Sequence, residues 1–344
     1  MGRDMMNVRH RVVLCLTAAA FASACGGGGG VESPPPNAFL SMGTAPPGGA
    51  FFVVGGALAE VLNGAGDANG WQVTAEATKG SRENIRRLAT GEIDLALANS
   101  AITYFAVRGE PAEDWEQPLG MRSIMTLAPN VAMFVTPKSS GVERLANLKG
   151  HRVVVGVAGA GFEFFVRPLL AAHGVTYDDF TPLYNTQAGA VDMLADGAAV
   201  AAFLGGAVPT ASITQAASGR DVLLVPFEKE ARDSLVEEYP FFQPVTIPAG
   251  TYPGQDEAYE GLDVGSMHLI VTEDTDEDLA YRITKTLYED REAVVERHAA
   301  GRAINPKNVV RDTGTPFHPG AIRYYREAGI WPEADSTGPA AATE

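Results

Sequence analysis

Residues 71–98, WQVTAEATKGSRENIRRLATGEIDLALA, carry the clearest pattern of secondary structure in the chain. Residues 71–77 alternate apolar and polar side chains, which is the pattern of a half-buried strand. Ser81–Ala89 is predicted to be a helix, and residues 94–98 form a second predicted strand. A strand, a helix and a strand in direct succession favour an α/β layer with a mostly parallel sheet.

The same alternation extends in both directions from this stretch. A strand at 38–42 and a helix at 50–62 precede it, and a similar series follows in mid-chain. Two such series in one chain predict two α/β lobes. The second series has predicted strands at 131–136, 152–157, 200–204 and 223–225, and predicted helices at 142–148, 162–173 and 191–196.

The C-terminal third is predicted to return to the first lobe, with a strand at 264–271 and helices at 275–298 and 320–328. The acids of Thr275-Asp276-Glu277-Asp278 fit the positive end of a helix, and we favour this capping role over a cation site. The predicted boundaries are 38–128 with 246–331 for lobe 1, 129–245 for lobe 2, and 332–344 for a disordered tail.

The N-terminus predicts export. Residues 1–24 join a basic segment to an apolar run that is too short to span a bilayer, which is the form of a secretory signal. Ala22-Ser23-Ala24 precede Cys25 and resemble a bacterial lipobox, with Ala22 in place of the usual leucine. We predict a lipid anchor on Cys25, and an ordinary cleaved signal is the alternative. The glycine and proline runs of 25–37 predict a tether between the anchor and the folded part.

Composition restricts the classes of function. A formal net charge of −16 disfavours a nucleic-acid partner. The two cysteines, Cys15 and Cys25, leave the mature domain without a disulfide or a cysteine nucleophile. The histidines have no metal-ligand spacing and G-x-S-x-G does not occur, so we predict no metal, no cofactor and no enzyme. Residues 156–161 have the spacing G-x-x-G-x-G, which differs from the dinucleotide-binding fingerprint.

Several segments, in their order and spacing, resemble the TAXI branch of TRAP-transporter solute-binding proteins. The resemblance covers residues 38–331. The segments are Gly43-Thr44 with Gly48-Gly49, TAEATKGS at 74–81 followed by Glu83-Asn84, GEIDLA at 91–96, LANLKG at 145–150, GVAGAG at 156–161, TIPAGTYPGQ at 246–255 and HPGAIRYY at 318–325.

This resemblance implies a type II periplasmic-binding fold, in which crossing hinge strands join two α/β lobes and ligand binds between them. It implies a TRAP membrane permease with one fused membrane subunit as the partner, and a small carboxylate such as glutamate or 2-oxoglutarate as the ligand. We expect a monomer in the periplasm or at the outer face of the cytoplasmic membrane. The same fold could instead sense ligand for a membrane receptor or a sensor kinase, and the sequence leaves this alternative open.

Ligands of open α/β sheets bind beyond the carboxyl ends of the strands, where helix N-termini offer N–H groups to a carboxylate. The loops at these ends therefore supply the predicted ligand contacts. In lobe 1 these are Gly43, Thr44, Ala45, Phe51, Lys79, Gly80, Ser81, Asn84, Asn99 and Ser100. In lobe 2 they are Ala158, Gly159, Ala160, Gly161, Phe162, Tyr184, Gly205 and Gly206.

Two features of these loops bear on the ligand. Lys79 is the single cation in them and is predicted to pair with a carboxylate; the alternative is that it faces solvent and the backbone holds the ligand. Phe162 is predicted to face the cleft and to favour a bulkier or more apolar ligand, whereas Phe164 and Phe165 are predicted as helix core. We also expect an open and a closed form related by hinges near 127–133 and 244–250.

Overall fold

The computed structural model describes residues 38–47, 50–109 and 115–333, which build two α/β lobes. The predictions for the signal at 1–24, for lipidated Cys25, for the tether at 25–37, for Gly48-Gly49 and for the tail from 334 onward lie outside the described residues. Among the described helices, none is both long and apolar enough to cross a bilayer.

The first lobe is built on a five-stranded sheet. Labels follow chain order. Its strands are β1 (Ala38–Gly43), β2 (Trp71–Glu76), β3 (Leu95–Asn99), β4 (Met121–Thr126) and β12 (Met267–Thr272). Its helices are α1 (Ala50–Gly64), α2 (Gly66–Asn69), α3 (Ser81–Ala89), α4 (Ser100–Arg108), α9 (Glu277–Glu289), α10 (Arg291–Arg297) and α11 (Pro319–Glu327).

The second lobe is built on a seven-stranded sheet. Its strands are β5 (Val131–Pro137), β6 (Arg152–Val154), β7 (Thr181–Leu183), β8 (Ala201–Gly206), β9 (Val222–Val225), β10 (Phe242–Ile247) and β11 (Tyr259–Val264). Its helices are α5 (Glu163–Ala172), α6 (Gln187–Ala195), α7 (Ala211–Gly219) and α8 (Lys229–Glu238). Short 3₁₀ helices occur at Lys138–Ser140 and Leu145–Leu148 here, and at Ala299–Ala303 in the first lobe.

Both sheets share one strand order. The first sheet runs β2-β1-β3-β12-β4, with β12 antiparallel to its neighbours β3 and β4. In the second sheet, β7-β6-β8 is followed by β5, which is antiparallel to both β8 and β9. In each lobe an antiparallel strand that follows a crossing segment, β12 or β5, thus lies beside parallel strands, and the second sheet is extended by the antiparallel pair β10 and β11. This is the type II periplasmic-binding-protein fold that the sequence predicts.

The chain crosses between the lobes twice. The first crossing joins β4 to β5 through residues 127–130, inside the predicted hinge at 127–133. We predicted the second crossing at 244–250, but β10 and β11 pair with each other in the second sheet, so the chain returns at Gly265 and Ser266. The predicted strand at 264–271 is accordingly two strands, because Gly265 takes φ +105° between them.

A buried polar cluster ties the two crossings together. The Asp263 carboxylate, which is 2% exposed, accepts hydrogen bonds from the Asn130 N–H (3.0 Å) and the Ser266 hydroxyl (2.5 Å). The Arg311 guanidinium lies 3.3 Å from the same carboxylate. A buried carboxylate needs such partners because an unpaired charge in the interior is costly.

Helix α3 shows how the sequence forms these elements. Ile85 and Leu88 are three positions apart, so they share one face, and both are buried. Arg87 points outward and pairs with Glu76 at 2.7 Å. The helix stops just before Gly91, which takes φ +71°. Burial of each apolar side chain contributes about 1.5–3 kcal/mol, so this face fixes the helix to its sheet.

The acidic run before α9 caps that helix. The Asp276 side chain accepts a hydrogen bond from the Leu279 N–H (2.8 Å). Glu277 and Asp278 pair with Arg323 on α11, at 3.0 and 2.6 Å. The preference for capping is therefore confirmed, although the cap is Asp276 and the predicted helix at 275–298 is divided into α9 and α10.

Candidate functional site

The two lobes enclose a cavity of about 650 Å³ at the carboxyl ends of their strands. Lobe 1 lines it with Ala45, Pro46, Pro47, Ala50, Phe51, Val53, Lys79, Gly80, Ser81, Asn99, Ile102, His298, Ala299 and Ala300. Lobe 2 and the first crossing line it with Asn130, Val157, Ala160, Phe162, Phe165, Thr186, Gln187, Ala188, Gly205, Gly206, Ala207, Val208, Pro209, Thr210, Ala211, Ser212 and Gln215.

The predicted contacts divide into two groups. Those that line the cavity are Ala45, Phe51, Lys79, Gly80, Ser81, Asn99, Ala160, Phe162, Gly205 and Gly206. Those that lie outside its lining are Gly43, Thr44, Asn84, Ser100, Ala158, Gly159, Gly161 and Tyr184.

Thr44 and Asn84 lie outside the cavity lining and form hydrogen bonds that hold the lobe 1 loops in position. Both are fully buried. The Thr44 hydroxyl donates to the Glu76 carbonyl (2.7 Å), and the Asn84 amide donates to the Thr44 and Leu97 carbonyls (2.7 and 2.8 Å). Together they join the ends of β1, β2 and β3, which holds the lobe 1 loops at one edge of the sheet.

Ser81 and Asn99 line the cavity but are already engaged. The Ser81 hydroxyl accepts the Asn99 N–H (2.9 Å). The Asn99 side chain caps α4 by accepting the Ala101 N–H (2.9 Å), and its amide donates to the Gly265 carbonyl (2.7 Å). Asn99 therefore connects the cavity to the second crossing segment.

Lys79 is the cationic side chain of the lining. It is exposed, and its ammonium forms no ion pair within 38–47, 50–109 and 115–333. No acidic side chain of the described residues lines the cavity. Although the chain has a net charge of −16, the described lining thus has one positive group and no acid. The Glu83 carboxylate lies outside the lining and accepts a hydrogen bond from the Lys79 backbone N–H (3.1 Å).

In lobe 2, some residues of the loop at 156–162 line the cavity, and others are exposed or packed against lobe 1. Ala160 and Phe162 line the cavity, whereas Ala158 and Gly159 are exposed away from it. Gly161 is buried at the contact with lobe 1, where a Cβ would lie 2.8 Å from Ile102 Cδ1. Phe164 and Phe165 are only 3% and 2% exposed, so their assignment to the core is confirmed, although Phe165 also reaches the cavity lining.

Helices α6 and α7 and the turn at His298 supply lining residues that were not predicted from the sequence. Thr186 caps α6, since its hydroxyl accepts the Gly189 N–H (3.1 Å), and this Thr before a helix was a readable signal. Thr210 and Ser212 at the start of α7 were missed because that helix was not predicted. His298 follows α10 and offered no signal, because a lone histidine is usually a surface or core residue.

Six helices begin at the cavity, namely α1, α3, α4, α5, α6 and α7. Each helix N-terminus carries a partial positive charge and unpaired N–H groups. The N-caps of α3, α5 and α7, which are Gly80, Phe162 and Thr210, provide no side-chain cap. These three termini therefore offer backbone N–H groups to a negatively charged group that enters from the cavity. Glu83 and Glu163 lie in the first turns of α3 and α5, whereas the first turn of α7 has no acidic residue.

Comparison with solved structures shows the same fold in distant proteins. A protein of Xanthomonas citri solved with ATP has 12% sequence identity and a TM-score of 0.51, over 85% of this chain and 97% of that one. A protein of Bordetella bronchiseptica has 14% identity and a TM-score of 0.51, over 87% and 91%. The periplasmic aliphatic sulphonate binding protein SsuA of Escherichia coli has 14% identity and a TM-score of 0.44, over 85% and 83%.

The sequence also matches a family model. The match runs from residue 42 to residue 329, and so includes both lobes and both crossings. This family match supports a solute-binding protein. The chain belongs to the NMT1-like family.

Proposed function

We propose that the chain is the extracytoplasmic solute-binding protein of a TAXI-type TRAP transporter, and that it captures a small organic acid between its lobes. The observation that carries the proposal is the charge of the cavity: Lys79 and uncapped helix N-termini face it, and no acid of the described residues does. This polarity is opposite to the net charge of −16 of the whole chain. A carboxylate is the common biological group that such a set of donors would hold.

The proposed ligand cycle follows from the two-lobed geometry. The carboxylate of the acid contacts Lys79 and the N-terminus of α3 in lobe 1, and the rest of the molecule contacts the lining of lobe 2 near the N-termini of α5 and α7. Because contacts to both lobes exist only when the lobes are together, ligand stabilises the closed form. We propose that this form delivers the acid to the fused membrane permease, with the protein held at the outer face of the membrane by lipidated Cys25.

A thermal-shift panel at pH 7 tests the ligand class. Mono- and dicarboxylates, neutral sugars and amines are compared at equal concentration. Ligand that binds only the native state raises the free energy of unfolding, by about 2.7 kcal/mol at a concentration of 100 times Kd. We expect shifts from carboxylates. Shifts from sugars or amines, with none from any carboxylate, would contradict the proposal.

Lys79→Ala tests the charge partner. A hydrogen bond to a charged group contributes about 1.5–3 kcal/mol, so calorimetry should show affinity for the best carboxylate falling about tenfold or more. Lys307→Ala is the matched control, because it removes the same charge from an exposed position outside the cavity lining. Equal affinities for the two variants would leave the backbone N–H groups as the only holders of the carboxylate.

A further inference from the structure

The described lining of the cavity offers one positive charge, that of Lys79. The other ionisable residue there is His298, whose Nδ1 accepts a hydrogen bond from the Ala300 N–H (3.1 Å). With Nδ1 used as an acceptor, Nε2 is the nitrogen left to donate to a ligand, so Lys79 is the ammonium group of the described lining.

The polar wall of lobe 2 cannot replace a second cation. The Gln187 amide donates to the Gly205 carbonyl (2.7 Å), and its oxygen accepts from the Ser212 hydroxyl (2.6 Å). Both ends of this amide are therefore engaged within the lobe. Beside this amide, a second carboxylate would find the N-termini of α5 and α7, each equivalent to about half a positive charge, and no cationic side chain among the described lining residues of lobe 2. Its loss of hydration would therefore be less well compensated than that of a carboxylate beside Lys79.

The apolar wall is fixed in position. The Phe162 ring contacts the rings of Phe165 and Phe203, with centroids 5.8 and 6.0 Å apart. Gly156 makes room for this ring, since a Cβ at that position would lie 2.6 Å from Phe162 Cδ2. From lobe 1, Phe51 also lines the cavity, so apolar surface faces the ligand from both lobes.

Resting on the function proposed above, we propose that the ligand is a monocarboxylate with an aryl-sized apolar body rather than a dicarboxylate. Its carboxylate lies at Lys79 and the N-terminus of α3, and its body contacts Phe162 and Phe51. The cavity of about 650 Å³ is within the range of small-molecule sites, about 300–1,000 Å³, and leaves room beyond a short dicarboxylate. Burial of an apolar body supplies affinity that a second carboxylate would remove.

Three probes of one shape test this ligand class by calorimetric titration of the protein. They are 3-phenylpropanoate, 3-(4-carboxyphenyl)propanoate and 3-phenylpropanamide, which carry one, two and no negative charges. We expect the monocarboxylate to bind at least about tenfold more tightly than either of the others. Phe162→Ala should weaken its binding about tenfold, whereas Phe39→Ala, which changes a phenylalanine 78% exposed and outside the lining, should not.

The outcomes separate this inference from the proposed function. If the dicarboxylate binds more tightly than the monocarboxylate, or if only short dicarboxylates bind, the monocarboxylate inference is wrong and the proposed function stands. If the amide binds as tightly as both acids, the carboxylate function itself is contradicted. Equal loss of affinity in Phe162→Ala and Phe39→Ala would overturn the role of the aromatic wall.

Discussion

At the scale of single residues, the cavity depends on side chains that do not line it. Tyr252, in the loop after β10, is 3% exposed, and its hydroxyl oxygen accepts the Thr210 N–H (2.9 Å). Thr210 is the N-cap of α7 and lines the cavity. Tyr252 therefore holds the N-terminus of α7 in position, although Tyr252 itself does not line the cavity.

Tyr252→Phe should weaken ligand binding because the N-terminus of α7 loses this support. A neutral hydrogen bond contributes about 0.5–1.5 kcal/mol, so we expect affinity to fall by up to about tenfold in calorimetry. Tyr259→Phe is the control, because its hydroxyl is also buried and donates to the Val225 carbonyl (3.1 Å) away from the cavity. We expect the two variants to lose similar amounts of stability, and Tyr252→Phe to lose more affinity for ligand than Tyr259→Phe. Equal affinities would contradict the positioning role.

His268 makes stability depend on pH. It is fully buried on β12, its Nε2 is 2.8 Å from the Thr103 hydroxyl, and burial lowers its pKa to about 3. The unfolded chain has a histidine pKa of about 6.5, so below that pH the unfolded state binds one proton more than the folded state. Stability from this group is present above pH 6.5 and is lost as pH falls, by about 2 kcal/mol at pH 5.

His268→Gln should remove this proton uptake. Urea unfolding between pH 5 and pH 7.5 measures the free energy of unfolding at each pH. We expect a shallower dependence on pH in the variant, whatever its absolute loss of stability. The same slope in both proteins would show that His268 takes up no proton on unfolding.

At the scale of elements, the loop at 156–162 meets helix α4 across the two lobes. Gly161 takes φ +92°, and a Cβ there would lie 2.8 Å from Ile102 Cδ1 and 3.1 Å from Arg82 Cγ. Beside this contact, the rings of Phe105 on α4 and Phe164 on α5 pack with centroids 5.8 Å apart. The lobes therefore meet closely at this edge of the cavity, and a side chain at 161 would separate them.

Gly161→Ala should weaken ligand binding more than Gly159→Ala. Both residues have positive φ, so each substitution costs about 1–2 kcal/mol of stability. A Cβ at Gly159 meets no atom within 4 Å, whereas at Gly161 it presses against lobe 1. We expect calorimetry to show at least a fivefold (~1 kcal/mol) greater loss of affinity for Gly161→Ala. Equal affinities would show that this contact does not govern closure.

At the scale of the whole molecule, the sequence predicts those features that arise from local patterns. Strand 71–77 and helix Ser81–Ala89 follow from residue periodicity, and the two-lobed fold follows from the repeated series. The strands β10 and β11 were not predicted, because which sheet a hairpin joins depends on partners far along the chain, such as β5. Such pairings carry no local signal, and the second crossing was misplaced for this reason.

In the candidate site too, features with a local sequence signal could be predicted and features set by long-range contacts could not. The loop after β2 could be identified from sequence, because a predicted strand end and a predicted helix start mark it, whereas Gly205 and Gly206 were identified from the end of a predicted strand alone. Thr44 and Asn84 could not be separated from ligand contacts, because a buried donor and a cavity-facing donor look alike in sequence. Thr210 and His298 could be identified as lining residues only from the tertiary structure, because long-range packing and not local sequence brings them to the cavity.

Hydrogen exchange of the amides, followed by mass spectrometry with and without a saturating carboxylate, tests whether one ligand contacts both lobes. We expect slower exchange at residues 79–83 in lobe 1 and, at the same ligand concentration, at residues 206–213 in lobe 2. Protection confined to one lobe, or none in either segment while calorimetry shows the protein saturated, would contradict this expectation.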